Sequence, residues 1–220
     1  MTKIYISPSQ QPHNVGYGNY GTEQDRMFQL GLELKETLER CGNTVYIAKK
    51  GITYQAATKE SNDLKCDLHL VLHSNAATGK ARGTLSMYYS DNGKKLASAL
   101  YNNLSAFTPT SDRGCYENKN LYELSNTEGV AAYMEIAFHD NKEDATMIMD
   151  NMEIISDLIA KGVCKYLGKP FIAKVVKSSI VTGTFFRVVT GSFEDRANAD
   201  DRVAELKKSG FESFITVYKK

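Results

Sequence analysis

The chain has 220 residues, 42% of them hydrophobic and 24% charged, a globular balance that supplies a sizeable core and excludes a disordered or fibrous protein. Lysine and arginine number 27 against 26 aspartates and glutamates, a net charge of +1, which excludes a chain held to nucleic acid mainly through phosphates. No run approaches the roughly 18 apolar residues of a membrane span, and Met1-Thr2-Lys3 passes straight into Ile4-Tyr5-Ile6, so a soluble chain made without a conventional export signal is expected.

Residues 3–7 alternate and predict a strand, after which residues 8–21 are loop-forming Pro, Ser, Gln, Asn, Gly and Tyr. Thr22, with Asp25 three residues on, reads as the N-cap of a helix whose apolar face is Met27, Leu30, Leu34, Leu38 and Cys41, stopped by Gly42. A strand at 44–48 and a polar helix near 54–64 lead to a short apolar strand at 68–72. A strand at 84–89, a helix at 92–107, a mixed stretch at 109–126, a strand at 130–136 and helical sequence over 142–166 follow, closed by Gly168 and Pro170. This alternation predicts an α/β fold: a mostly parallel twisted sheet flanked by helices on both faces, over residues 1–170. Cys41, Cys66, Cys115 and Cys164 are too widely spaced for a zinc-finger pattern and are expected to be reduced, mostly buried thiols.

From residue 171 the composition resets. Strand-like 186–193, a helix marked by Ala199, Val203 and Leu206, and strand-like 213–218 form one βαβ unit, half of a ferredoxin-like fold. Nine basic residues against six acidic give this 171–220 segment a net charge of +3, whereas 18 against 20 give residues 1–170 a net of −2. Attraction of the tail to a polyanion such as an anionic cell wall follows, although the same charge also suits plain solvated surface.

The chain has four histidines: His13, His69, His73 and His139. His13 lies in the loop after the first strand, His73 is where the 68–72 strand gives way to Ser74-Asn75-Ala76, and His139 follows the 130–136 strand. In a parallel sheet such positions gather at one edge, where ligands bind. His69, deeper in its strand, reads as a core histidine. Glu23 heads the first helix, where it either complements the helix dipole or joins this edge. Glu135 sits inside the apolar run Tyr133-Met134-Glu135-Ile136-Ala137-Phe138, where a carboxylate costs several kcal/mol unless it is paired, hydrogen-bonded or protonated. Imidazoles and carboxylates around an open position are the donor set of a catalytic zinc.

His73-Ser74-Asn75-Ala76 after an apolar strand, a glutamate opening the first helix, and Tyr133-Met134-Glu135-Ile136-Ala137-Phe138-His139-Asp140-Asn141 together resemble the zinc-dependent N-acetylmuramoyl-L-alanine amidases of the amidase-3 type, over residues 3–168. Ile6-Ser7-Pro8-Ser9-Gln10-Gln11 is most similar to the bacteriophage endolysin branch. The resemblance implies Zn2+ held by His13, Glu23 and His73, with Glu135 as catalytic acid and base. It implies cleavage of the amide between N-acetylmuramic acid and L-alanine in peptidoglycan, by an enzyme waiting in the cytoplasm of an infected host until lysis. The family's usual first motif has Pro-Gly-His directly after the strand, and an ungapped match puts Gln10 there; His13 needs a longer loop, and His139 is a weaker ligand candidate. Alternatives are another zinc-dependent wall hydrolase, such as a carboxypeptidase, or a non-catalytic wall-binding protein.

Phe186-Arg187-Val188-Val189-Thr190-Gly191-Ser192-Phe193, then Asn198-Ala199, then Leu206-Lys207-Lys208-Ser209-Gly210-Phe211, resemble the start of a SPOR domain, a peptidoglycan-glycan binder with two βαβ halves. Residues 171–220 are therefore expected to be a wall-binding module supplying one half, and pairing of two tails into a homodimer would supply the other.

Overall fold

The computed structural model describes residues 1–108, 113–174, 188–211 and 213–217, and the chain divides into two compact units, Met1–Val175 and Val176–Lys220. The first unit is built on six strands: β1 (Lys3–Pro8), β2 (Thr44–Ile47), β3 (Leu68–Asn75), β4 (Leu85–Tyr88), β5 (Cys115–Glu117) and β6 (Val130–Phe138). Their order is β2-β1-β3-β6-β4-β5, and every pairing is parallel except β4 with β6. The mostly parallel α/β sheet expected from the sequence is the fold found.

Helices cover both faces: α1 (Glu23–Arg40), α2 (Tyr54–Asp63), α3 (Asp91–Ser105), α4 (Tyr122–Ser125), α5 (Lys142–Asp150) and α6 (Met152–Leu167). Strand alternation sorts the core into two sides. Ile4, Ile6, Leu70, Leu72, Met134 and Ile136 pack with Leu residues of α1 and α3 and with Ile155, Ile159 and Val163 of α6. Val71, Tyr133, Leu85 and Met87 instead meet Leu124 of α4, while Tyr5 packs with Ala57 of α2.

Helix α1 forms where its sequence pattern places it. The Thr22 hydroxyl accepts the Asp25 amide at 3.1 Å, satisfying one of the free donors of the first turn. Met27, Leu30, Leu34 and Leu38 are completely buried, at roughly 1.5–3 kcal/mol of transfer free energy each.

Two expectations shift. β3 does not stop at Leu72 but continues to Asn75, because β6 runs on to Phe138 and keeps it paired; His73 is therefore within the strand. The helical stretch 142–166 is two helices, broken at Asn151, whose φ of −131° leaves the helical region and whose side chain caps the Met147 carbonyl. Gly168 closes α6 in the left-handed conformation, φ 63°, and Lys169 N–H returns to the Cys164 carbonyl. All four cysteines are free thiols, and Cys41, Cys66 and Cys164 are buried.

In the second unit the described regular element is α7 (Arg196–Lys208), capped by Asp195, whose carboxylate accepts the Ala197 amide. Residues 188–193 and 213–217, expected as strands, are not paired as strands among the described residues, and residues 186, 187 and 218 of those segments lie outside them. Among the described residues no helix is long and apolar enough to cross a membrane.

Candidate functional site

The carboxyl ends of β1, β3 and β6 meet at one edge of the sheet, and the start of α1 joins them. In the β3–β6 register His73 lies opposite Glu135, so the two side chains project from the same face. Just beyond, the register slips: Asn75 pairs with Phe138, so β6 holds one more residue than β3. Such a bulge re-aims the side chains around it.

Glu23 opens α1 only 1% exposed, and its Oε1 lies 2.8 Å from Nδ1 of His73. The Ser74 amide donates to the same oxygen at 3.3 Å, and Asn14 Nδ2 donates to Oε2 at 2.8 Å. Burial would raise the Glu23 carboxyl, but the hydrogen bond and charge of His73, with the Asn14 bond, hold it below its ordinary value. Burial works against a charged His73 in turn, yet Glu23 lifts the imidazole above its usual value. The His73 ring stacks on Tyr133 with centroids 4.7 Å apart.

Glu135 has a different environment. Its Oε2 is buried without a hydrogen-bond partner. Burial, aided by the Glu23 charge and opposed by His73, pushes its carboxyl up to about 7. One carboxylate kept ionised beside an imidazole and a second poised to exchange a proton near neutrality is the division of labour that acid–base hydrolysis needs.

His13 is exposed in the turn at residues 12–13, and no described hydrogen bond joins it to Glu23 or His73. Gln10, the ungapped match, lines the same cleft as His73 but is bonded elsewhere: its Nε2 donates to the Pro8 carbonyl and its Oε1 accepts the Gly51 amide at 2.7 Å. The side chain of this loop that reaches His73 is Gln11, whose amide nitrogen is 3.3 Å from His73 Nδ1 and whose Oε1 accepts from Asn14 at 2.5 Å. His139 is only 2% exposed; its Nδ1 contacts the Ser74 hydroxyl at 2.9 Å and the Ser74 carbonyl at 2.8 Å, and its ring stacks on Tyr20. It buttresses the residue next to His73. His69 is the core histidine expected, stacked on Tyr5, with Nε2 3.2 Å from Glu123 Oε1; Ser7 Oγ donates to that same oxygen at 2.5 Å.

Among the described residues no three His, Cys, Asp or Glu side chains gather as a metal-holding group. An imidazole nitrogen and a carboxylate oxygen nonetheless stand side by side, with an amide beside them and an unpartnered carboxyl oxygen in the neighbouring strand, a donor chemistry that suits zinc. A cleft of about 450 Å³ opens onto His73 between Gln11, Tyr54, Tyr122 and Tyr133. Another, of about 470 Å³, lies near Met1, Asp67, Val130 and Tyr166; its lining residues hold one carboxylate and no histidine.

Residues 4–165 match the N-acetylmuramoyl-L-alanine amidase family, and residues 165–216 match the SPOR domain. Among curated proteins, a probable cell wall amidase, LytH, of Staphylococcus aureus is 31% identical over 147 residues, which are 66% of this chain and 50% of that protein. The chain thus spans about half the length of the curated relatives it matches. Among solved structures, the catalytic domain of the amidase CwlV from Bacillus (Paenibacillus) polymyxa var. colistinus superposes with a TM-score of 0.71 at 18% identity, covering 76% of this chain and 99% of that one. The catalytic domain of the endolysin CD27L, which targets Clostridia difficile, gives 0.67 at 25% identity, covering 75% and 98%.

Proposed function

This chain belongs to the N-acetylmuramoyl-L-alanine amidase family, and from that premise we propose that it hydrolyses the amide joining the muramic lactyl group to L-alanine in bacterial peptidoglycan. The observation that carries the reading is the polarised edge of the sheet: an ionised Glu23 against His73, and in register with His73 Glu135, raised to about 7. Glu23 and His73 would hold a zinc ion together with a donor from the loop after β1, where His13 is the imidazole on offer and Gln11 the side chain already against His73. Zinc bound there would lower the pKa of a water to about 7 and polarise a carbonyl. Glu135 would take the proton from the attacking water as general base and hand it to the departing L-alanine amine as general acid, roles that its near-neutral carboxyl supports. The Tyr133 ring, stacked on His73, restricts the imidazole to one orientation. Tyr54 and Tyr122, in edge contact at 5.5 Å, would form the aromatic wall against which the substrate lies.

The test is digestion of purified peptidoglycan by the full chain, followed by mass spectrometry and end-group analysis. The reading predicts new L-alanine amino termini and uncut glycan strands. Release of carboxyl-terminal residues from the stem peptide would assign a carboxypeptidase instead, and binding without products a non-catalytic wall protein.

Residues 165–216 would hold the enzyme to the wall, as their SPOR match suggests. Val188, Phe211, Phe214 and Val217 are each more than 60% exposed, and pairing of two tails would cover such residues. Sedimentation of the full chain at micromolar concentration is expected to show dimer; a strict monomer rejects the pairing. The similarity to an endolysin catalytic domain supports a role in lysing an infected cell from its cytoplasm, and expression of the chain together with a membrane-permeabilising protein should then lyse the cell, whereas expression alone should not.

A further inference from the structure

We propose that the amide of Gln11, and not the imidazole of His13, completes the zinc site of this chain. The inference rests on the reading that Glu23 and His73 hold zinc.

Four side chains close a ring at the edge of the sheet. Gln11 meets His73 Nδ1 at 3.3 Å, His73 Nδ1 meets Glu23 Oε1 at 2.8 Å, Glu23 Oε2 accepts from Asn14 at 2.8 Å, and Asn14 donates to Gln11 Oε1 at 2.5 Å. One atom in this ring is asked to do too much. An imidazole nitrogen carries either a proton or a lone pair. If Nδ1 donates to Glu23, it has nothing with which to accept from the Gln11 N–H; if it accepts from Gln11, it faces the Glu23 carboxylate lone pair to lone pair. A cation shared by Nδ1, the carboxylate oxygen and the amide oxygen removes the conflict, since each then presents a lone pair to the same centre.

The spacing agrees. With metal–ligand distances of 2.0–2.1 Å, two donors on a tetrahedron stand about 3.3 Å apart, and the two separations at Nδ1 are 2.8 and 3.3 Å. Half a turn about the last Gln11 torsion exchanges its nitrogen for its oxygen at this point, at the cost of the Asn14 bond, and Asn14 keeps its bond to Glu23. Gln10 is held elsewhere, at the Pro8 carbonyl and the Gly51 amide, and no described bond joins it to His73 or Glu23. His13, two residues further on from Gln11, makes none of the described contacts with this ring, and both residues are exposed. A neutral amide is a weaker donor than an imidazole, so the site should hold zinc less tightly than one with two histidines and a carboxylate.

The experiment measures zinc affinity of the purified full chain by competition with a chromogenic chelator, with metal content per chain read by mass spectrometry and folding checked by circular dichroism. Wild type is expected to bind one zinc. Gln11→Ala should lose at least the roughly tenfold that even an outer-shell partner is worth, Gln11→His should gain at least tenfold, and His13→Ala should stay within twofold of wild type. Unchanged affinity in Gln11→Ala, or loss of zinc in His13→Ala, overturns the assignment while leaving the zinc reading intact. A wild-type chain that takes up no zinc, while His73→Ala and Glu23→Gln behave identically, overturns the zinc reading and the inference with it.

Discussion

Helices α1 and α7 begin alike and end up very differently. Both start at a side-chain cap, Thr22 in one and Asp195 in the other, and both carry ion pairs spaced four residues apart, Lys35–Glu39 and Arg196–Asp200. Yet α1 buries seven residues, including Met27, Leu30, Leu34 and Leu38, while no residue of α7 is buried in the described structure. Caps and surface pairs contribute about 1 kcal/mol or less each and set where a helix begins. An apolar stripe with a sheet beneath it ties the helix to a fold. The first unit carries that second kind of stability, and the candidate site stands on it.

The sharpest way to break this contrast is Leu34→Ala, which should cost about 2–5 kcal/mol by leaving a cavity under α1. Denaturant midpoints of the full chain would measure it; a loss below 1 kcal/mol would mean that the α1 stripe does not support the sheet.

The pH dependence of the chelator-treated protein comes next. Glu135 has its folded pKa raised to about 7 from an ordinary 4.5. The folded state therefore holds a proton that the unfolded chain has released between these values, and stability, full below about 4.5, falls as the pH rises through 7. The loss should reach roughly 3 kcal/mol, and Glu135→Gln should remove the slope between about 4.5 and 6.5, above which His73, its imidazole lifted by Glu23, titrates as well. A wild type and variant with parallel pH profiles would show that Glu135 is not in an apolar setting.

Function should divide along the same line. Glu135→Gln is expected to cut hydrolysis of purified peptidoglycan by at least about 10²-fold while leaving zinc content and sedimentation with insoluble wall unchanged. Joint loss of hydrolysis and wall binding would deny the separation of the two units.

The smallest effect belongs to the tail: Leu206→Ala in α7, at a position only partly buried, should shift stability by less than about 1 kcal/mol. A shift as large as that of Leu34→Ala would show that α7 packs on a hidden apolar surface.

The sequence announces what depends on local pattern and is silent on what depends on neighbours. Helix α1 is legible because its cap and its apolar spacing lie within one stretch of chain. Glu135 is legible because a carboxylate inside an apolar strand demands an explanation wherever the strand ends up. The true end of β3 is not, since Ser74 and Asn75 read as loop residues and only pairing with β6 makes them strand. Gln11 and Asn14 escape notice because neither is a residue type that suggests metal chemistry, and their approach to His73 and Glu23 depends on how the loop turns. Glu123 could have been suspected: it is an acid between Leu121 and Leu124 in α4, and its partners, Ser7 and His69, come from two strands, β1 and β3. His139, four residues from Glu135, looks like a ligand in the sequence and becomes a support for Ser74 in the fold.

Strand β4 runs against β6, which puts its first residue, and not its last, beside the edge that carries the candidate site: Leu85 pairs with Glu135, and Thr84 Oγ1 donates to the Glu135 carbonyl. The connection from β3 to β4 consequently never crosses the sheet. Residues 76–84 span the end of β6, pinned by Asp140, which accepts the Ala77 and Gly79 amides, and by Asp144, which accepts that of Gly83. A stretch fastened at both ends, with no crossover helix to carry, can lengthen between its anchors without disturbing the core. New sequence grafted between Gly79 and Arg82 would lie between these anchors and leave the strands in place, so this short bridge is where the edge beside Glu135 can be remodelled at least cost to the core.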